Sequence, residues 1–425
     1  LGYFFTLIFI VFLYVRPQEF WDVLLNLPVM DILAGGALIC VFLEGSFDKS
    51  KFKYSPISKV VVIMWLWFAF TEIPTGWLGG VTYVLRKFSP TAILFYLLVL
   101  TVSNLSRLRI LLWTLILVTT FLSVDAIVQF YTGVSLVGTV ALQRHVGEGE
   151  FVSQAKGIGI FADPNDLALH VVPMLAFLLP PFYKRSIGKN VLVAIILLIP
   201  LVTGVVYTRS RGGILAMAFV AWIYLRHRVG LTFSIVGLVL LFGLLAAIPR
   251  FGDTSASAGS AQSRLDHWAY GIQLFRSSPI WGVGWDMFRA DGYRHTAHNS
   301  FVLVMAETGL VGAMMWISMF YLAGKHIFRM QRITRGPPWV EPMSKALEAA
   351  MGGWMVGGFF LSQSYGFLLY ILMGIVVATV NILAKVGIDI SVTWTGRDTR
   401  NVFFITLGMI IFIHLLAKTL FVVGG

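Results

Sequence analysis

Ile110-Leu-Leu-Trp-Thr-Leu-Ile-Leu-Val-Thr-Thr-Phe-Leu-Ser-Val-Asp-Ala-Ile-Val-Gln-Phe130 decides the fold class. A helix that crosses a bilayer needs about 20 predominantly apolar residues, and this run supplies them without interruption by glycine or proline. Comparable runs recur from Leu1–Val15 at one end to Val402–Val422 at the other, and together they predict about 12–13 transmembrane helices. The 425 residues are 58% hydrophobic and only 12% charged, far from the composition of a soluble domain. The expectation is an all-α integral membrane protein: a single polytopic domain over residues 1–425, with no room for a large soluble domain. Leu1 opens directly on an apolar run without a small-residue cleavage site, and is read as part of a first span behind a trimmed start.

A net charge of +12 raises the question of nucleic acid, but the basic residues sit in short clusters between apolar runs. Orientation and anionic lipid account for them, so membrane lipids are expected as partners and nucleic acid is not. Lys49, Lys51, Lys53 and Lys59 mark the second loop, Arg107 and Arg109 the fourth, and Lys184, Arg185 and Lys189 the sixth. Even loops are therefore expected on the cytoplasmic side. Arg86 and Lys87, in the predicted third loop, run against that rule, as do Arg209 and Arg211 in the seventh. Two long odd loops, 131–165 and 249–299, fall on the opposite side with them, the second expected to be partly helical. Polar residues gathered at one membrane face mark the place where sites are built. The single cysteine, Cys40, excludes an intrachain disulfide and a cysteine-based metal site.

Three segments on that face could carry chemistry. Tyr207-Thr-Arg-Ser-Arg-Gly-Gly213 puts Arg209 and Arg211 at the start of an apolar helix, where a guanidinium fork suits phosphate; interfacial snorkelling is the alternative. Ser263-Arg-Leu-Asp-His-Trp268 places Arg264 on one helical face with His267 and Trp268. His295-Thr-Ala-His-Asn299 precedes an apolar run broken by Glu307. There His298 fits either a general base or a polar residue at a helix start, and Asn299 fits a helix cap. Asp163 and Asn165 end the other long loop as a turn or cap. No Asp-x-Asp cradle, His-Glu-x-x-His or Walker loop lies on this side, so neither a metal nor a cofactor is expected.

The ordered set Phe161-Ala-Asp-Pro-Asn165, Ser210-Arg-Gly-Gly213, Pro279-Ile-Trp-Gly-Val-Gly284, Ala297-His-Asn-Ser300 and Glu307-Thr-Gly-Leu310 resembles the O-antigen ligase and polymerase superfamily in order and spacing. Tyr14-Val-Arg-Pro-Gln-Glu19 is similar to O-glycosylation ligases of that group. The resemblance implies a GT-C-type glycosyltransferase fold in a bacterial inner membrane, with its active site facing the periplasm. It implies an undecaprenyl-pyrophosphate-linked glycan as donor and the lipid A core oligosaccharide of lipopolysaccharide as acceptor. Residue by residue, it implies pyrophosphate binding by Arg211 and Arg264, with Arg209 as helper, and activation of the acceptor hydroxyl by His298. Arg86 and Lys87 would edge a lateral opening for the donor lipid, and Asn299, Asp163 and Asn165 would support the site. Direct displacement would invert the anomeric centre. An O-antigen polymerase or a protein O-oligosaccharyltransferase would use the same donor. A transporter would need repeat symmetry between the halves, which the sequence lacks.

Overall fold

The computed structural model describes residues 1–145, 151–161, 163–178, 187–237, 254–293 and 295–423. It is built almost entirely of helices. In chain order these are α1 (Gly2–Val15), α2 (Val29–Leu43), α3 (Ile57–Phe70), α4 (Leu78–Thr101), α5 (Leu105–Thr132), α6 (Pro164–Leu178), α7 (Ile187–Tyr207) and α8 (Arg211–Val229). There follow α9 (Thr254–Ser277), α10 (Ser300–Gln331), α11 (Val340–Gly358), α12 (Phe367–Lys385) and α13 (Gly396–Val423).

Among the described residues, α4, α5, α10, α12 and α13 are long and apolar enough to cross a membrane, and α1, α2, α3, α6 and residues 192–207 are shorter apolar helices. The chain is an all-α polytopic membrane protein. Lys184 and Arg185 of the predicted sixth loop, and parts of the predicted loops 131–165 and 249–299, lie outside the described residues. One span boundary is corrected. Arg86 and Lys87, expected in the third loop, lie inside α4, which runs through Pro90. Proline removes one ladder donor and frees the carbonyl four residues earlier. Here that carbonyl belongs to Arg86, and the Ser89 hydroxyl donates to it at 2.8 Å, a substitution that lets a membrane helix tolerate proline.

The helices form two compact units. The first comprises Leu1–Asp48, Leu97–Asp253 and Ile327–Gly357. In it α1 packs on α2 and α5, α5 on α6 and α7, and α6 on α8. Small residues set the close approaches that membrane helices use: a Cβ on Gly213 of α8 would lie 2.5 Å from the Ala168 Cβ of α6. Arg16, in the left-handed region at φ 53°, closes α1 and pairs with Glu19 at 2.6 Å, so the Arg-Pro-Gln-Glu stretch acts as a helix stop. The loop 131–165 contains a short exception to the helical rule, an antiparallel hairpin pairing Leu142–His145 with Phe151–Gln154. The Gln129 carboxamide near the end of α5 holds its return segment, accepting the Lys156 and Gly157 N–H groups at 2.8 and 3.1 Å.

The second unit comprises Lys49–Tyr96, Thr254–His326 and Gly358–Gly425. Two hydrogen bonds fix α3 antiparallel to α10. His326 meets the Ser55 hydroxyl at 3.0 Å, and the Trp67 indole donates to the Thr308 carbonyl at 3.0 Å. Helix α10 breaks at Gly309, where φ is 67° and ψ is −168°. An unbroken helix would pair the Leu310 and Val311 N–H groups with the Ala306 and Glu307 carbonyls. Instead the strap 279–284 takes all four groups. Val283 and Gly284 donate to Ala306 and Glu307 at 3.0 and 3.1 Å, while Leu310 and Val311 donate to Pro279 and Ile280 at 2.8 and 3.4 Å. The buried backbone is thereby satisfied.

Candidate functional site

Helix α9 was expected as a short helical stretch around Ser263–Trp268 and extends well beyond it. Trp268 anchors one face by packing edge-on against Phe359 at 5.3 Å. One turn apart on the same helix stand Arg264, whose guanidinium lies 5.8 Å over the Phe360 ring, and buried His267. Spacing of three residues keeps the two side by side.

The strap leads into this cluster. Carboxylates hold the residues that follow it: the Glu72 Oε1, in the turn after α3, accepts the Trp285 N–H at 2.7 Å, and the buried Glu307 Oε1 of α10 accepts the Phe288 N–H at 3.1 Å. Phe288 then meets Tyr270 of α9 at 5.5 Å, and Tyr270 stacks on Tyr293 at 3.9 Å. The Tyr293 hydroxyl bonds His267 Nδ1, while the Ser263 hydroxyl lies 3.2 Å from His267 Nε2. His295 stacks on His267 at 4.8 Å. The strained residue of the group is His298, at φ 47°, a region non-glycine residues occupy sparingly and often at functional sites. Asn299 fixes it from the next position, capping α10 through Oδ1 with the Phe301 and Val302 N–H groups at 2.9 and 3.1 Å. This turn sets the His298 ring 5.6 Å from His267.

Burial holds the His267 imidazole below its ordinary range, helped by His295 and Arg264 and opposed by Asp266. Burial likewise raises the Tyr293 phenol, with Asp266 and Tyr270 adding to the effect. A neutral His267 beside a protonated tyrosine accepts at Nδ1 and carries its proton on Nε2, toward Ser263. Among the described residues no group of three His, Cys, Asp or Glu side chains could hold a metal ion; the three histidines stack and tilt rather than converge on one point.

Lys87 belongs to the same unit but is engaged elsewhere. It pairs with Asp286, two residues past the strap, and the Tyr83 hydroxyl donates to the same carboxylate oxygen at 2.6 Å. Arg86 is exposed on α4.

The first unit carries the other expected residues. Asp163 caps α6, its Oδ1 accepting the Asn165 N–H at 2.7 Å, as a turn or cap reading predicts. Ser210 caps α8 by accepting the Gly213 N–H at 3.1 Å. Arg209, at φ 53°, sets its guanidinium 5.5 Å over Phe130. Arg211 is exposed at the first position of α8, where the helix dipole disfavours a cation and favours an anion.

The predicted set thus divides. Arg264, His298 and Asn299 share one neighbourhood of the second unit, and Arg209, Arg211, Asp163 and Asn165 lie in the first. The sequence reading did not count His267, Tyr293 and His295 as site residues. The histidines were visible in the motifs, but their stacking depends on the loop path.

The fold and this cluster define a class: a polytopic helical membrane protein with an arginine, histidine and tyrosine site at a helix start. Residues 193–317 match the family model described as O-Antigen ligase, a segment that contains Arg209, Arg211, Arg264, His267, Tyr293, His298 and Asn299. That match supports an O-antigen ligase family assignment and, in general terms, a function of ligase or polymerase type. No curated protein matches the chain.

Proposed function

We propose that this protein is a glycosyltransferase that moves a glycan from undecaprenyl pyrophosphate to a hydroxyl of the lipid A core oligosaccharide, at the periplasmic face of a bacterial inner membrane. The observation that carries the reading is His298, held in a left-handed turn beside a neutral His267, with Arg264 one turn earlier on the adjoining helix. The acceptor hydroxyl attacks the anomeric carbon and gives its proton to His298. The bond from that carbon to the pyrophosphate oxygen breaks, and its electron pair leaves with the oxygen. Arg264 binds the pyrophosphate and stabilises the charge that develops there. Arg211 and Arg209 are assigned donor-phosphate binding from their chemistry and motif. A single displacement of this kind inverts the anomeric centre and needs no metal, and a GT-C-type fold agrees with the helical architecture.

The test is transfer by purified protein from a lipid-linked glycan to lipid A core, with a chelator present, for the parent and for His298→Ala. Product from the parent that falls by about 10²–10⁴ in a folded His298→Ala protein supports the reading. Lengthening of the lipid-linked glycan without modification of the core would instead assign an O-antigen polymerase. Modification of a protein hydroxyl would assign an oligosaccharyltransferase.

A further inference from the structure

The second unit carries a cavity of about 500 Å³, within the range of small-ligand sites, roughly 300–1,000 Å³. On α10 it starts at Val311, past the Gly309 break, and runs to Ser318, leading away from the His298 end. The antiparallel register of α3 and α10 sets Ile63 toward Val311 and Lys59 toward the other end of the groove. Helix α13 closes the third side through Val402; the Asn401 carboxamide donates to the Tyr321 hydroxyl at 3.0 Å and Lys325 meets Asp398 at 2.8 Å. The lining is graded. Val60, Ile63, Val311, Met314 and Val402 make an apolar trough, and methionine adapts readily to a mobile chain. The Ser318 hydroxyl is turned to its own helix, donating to the Met315 carbonyl at 2.6 Å.

At the rim are Lys59 and Trp394, both exposed. Lys87, Lys325 and Lys345 each hold a carboxylate, whereas among the described residues no carboxylate pairs with Lys59. Exposed Lys49 and Lys53 precede it on the same segment. Trp394, its indole donating to Thr399 at 2.8 Å, is the kind of residue that settles at the level of lipid headgroups.

We infer that this groove binds one anionic phospholipid, its acyl chain in the trough between α3, α10 and α13 and its phosphate against Lys59. An apolar trough with an uncommitted cation at one end matches an anionic amphiphile, because each part of the ligand meets its own chemistry. The site is separate from the transfer chemistry and does not depend on it.

Native mass spectrometry of the detergent-purified full chain tests this with phosphatidylglycerol and phosphatidylcholine at equal concentration. The parent retains phosphatidylglycerol about fivefold better, the factor expected of one cation near a lipid surface. Lys59→Gln brings the ratio close to one. Ser318→Trp fills the trough and removes the bound lipid at an unchanged melting temperature; should it melt lower, Ile63→Trp, at an exposed position of the same lining, is the replacement. Equal retention of the two lipids by the parent would overturn the inference, as would a preference that survives Lys59→Gln. A dimer mass that Ser318→Trp abolishes would assign the groove to a second copy of the chain.

Discussion

The rings of His267 and His298 stand 5.6 Å apart, centre to centre, at 36° to each other. One belongs to a long helix, and the other to a two-residue turn held by the cap of the next helix. His267 hydrogen-bonds to Tyr293 and Ser263, so it can fix where His298 rests without touching a substrate itself.

Acid should expose this arrangement. The folded-state pKa of His267 lies below the ordinary 6.5, so between the two values the unfolded chain binds more protons than the folded one. His267 therefore favours folding above about pH 6.5 and opposes it as pH falls through that value. Melting temperature in detergent should drop between pH 7.5 and about 5.5 in the parent, and less steeply in His267→Gln. Equal slopes in the two proteins would show that His267 is not buried neutral.

Asn299 couples helix capping to the placement of His298. Asn299→Ala should cost about 1 kcal/mol by loss of the cap and should also depress transfer strongly, because the left-handed turn loses its anchor. Asn299→Asp keeps an acceptor for the Phe301 and Val302 N–H groups and should recover the stability. Measuring melting and transfer on both variants separates the cap from the chemistry. An Asn299→Ala protein with normal turnover would mean that the turn holds without it.

Arg211 makes an opposite prediction for stability and activity. A cation at the first position of α8 works against the helix dipole by about 0.3–1 kcal/mol. Arg211→Ala should therefore melt at the same temperature or higher while transfer falls. A variant that melts lower and transfers normally would reduce Arg211 to a structural residue.

Gly309 should tolerate no side chain. Its φ of 67° and ψ of −168° lie in a region that is essentially glycine's alone, and a Cβ there would sit 2.3 Å from the Ile280 carbonyl oxygen. On the strap, a Cβ at Gly282 would meet the Glu307 carbonyl carbon at 2.3 Å. Gly309→Ala and Gly282→Ala should each destabilise by about 1–3 kcal/mol, read as a lower melting temperature. The double variant should lose less than the sum, since both break one interlock.

Hydropathy alone established the membrane-spanning helical class, because a bilayer leaves a chain of this composition one way to satisfy its backbone. Local signals also reached the caps at Asp163 and Asn299, since a cap bonds to residues two or three positions along. The ordered motifs marked Arg211, Arg264 and His298 as residues of interest. Tertiary structure decided what no window of sequence contains. The strap 279–284 and the break at Gly309 are each odd in isolation and satisfy one another's backbone when paired. His267 gains Tyr293, His295 and His298 as neighbours because the stretch that leads into α10 passes beside α9. Periodicity reports which face of a helix is apolar; the partner of a buried polar group is chosen only when distant segments meet.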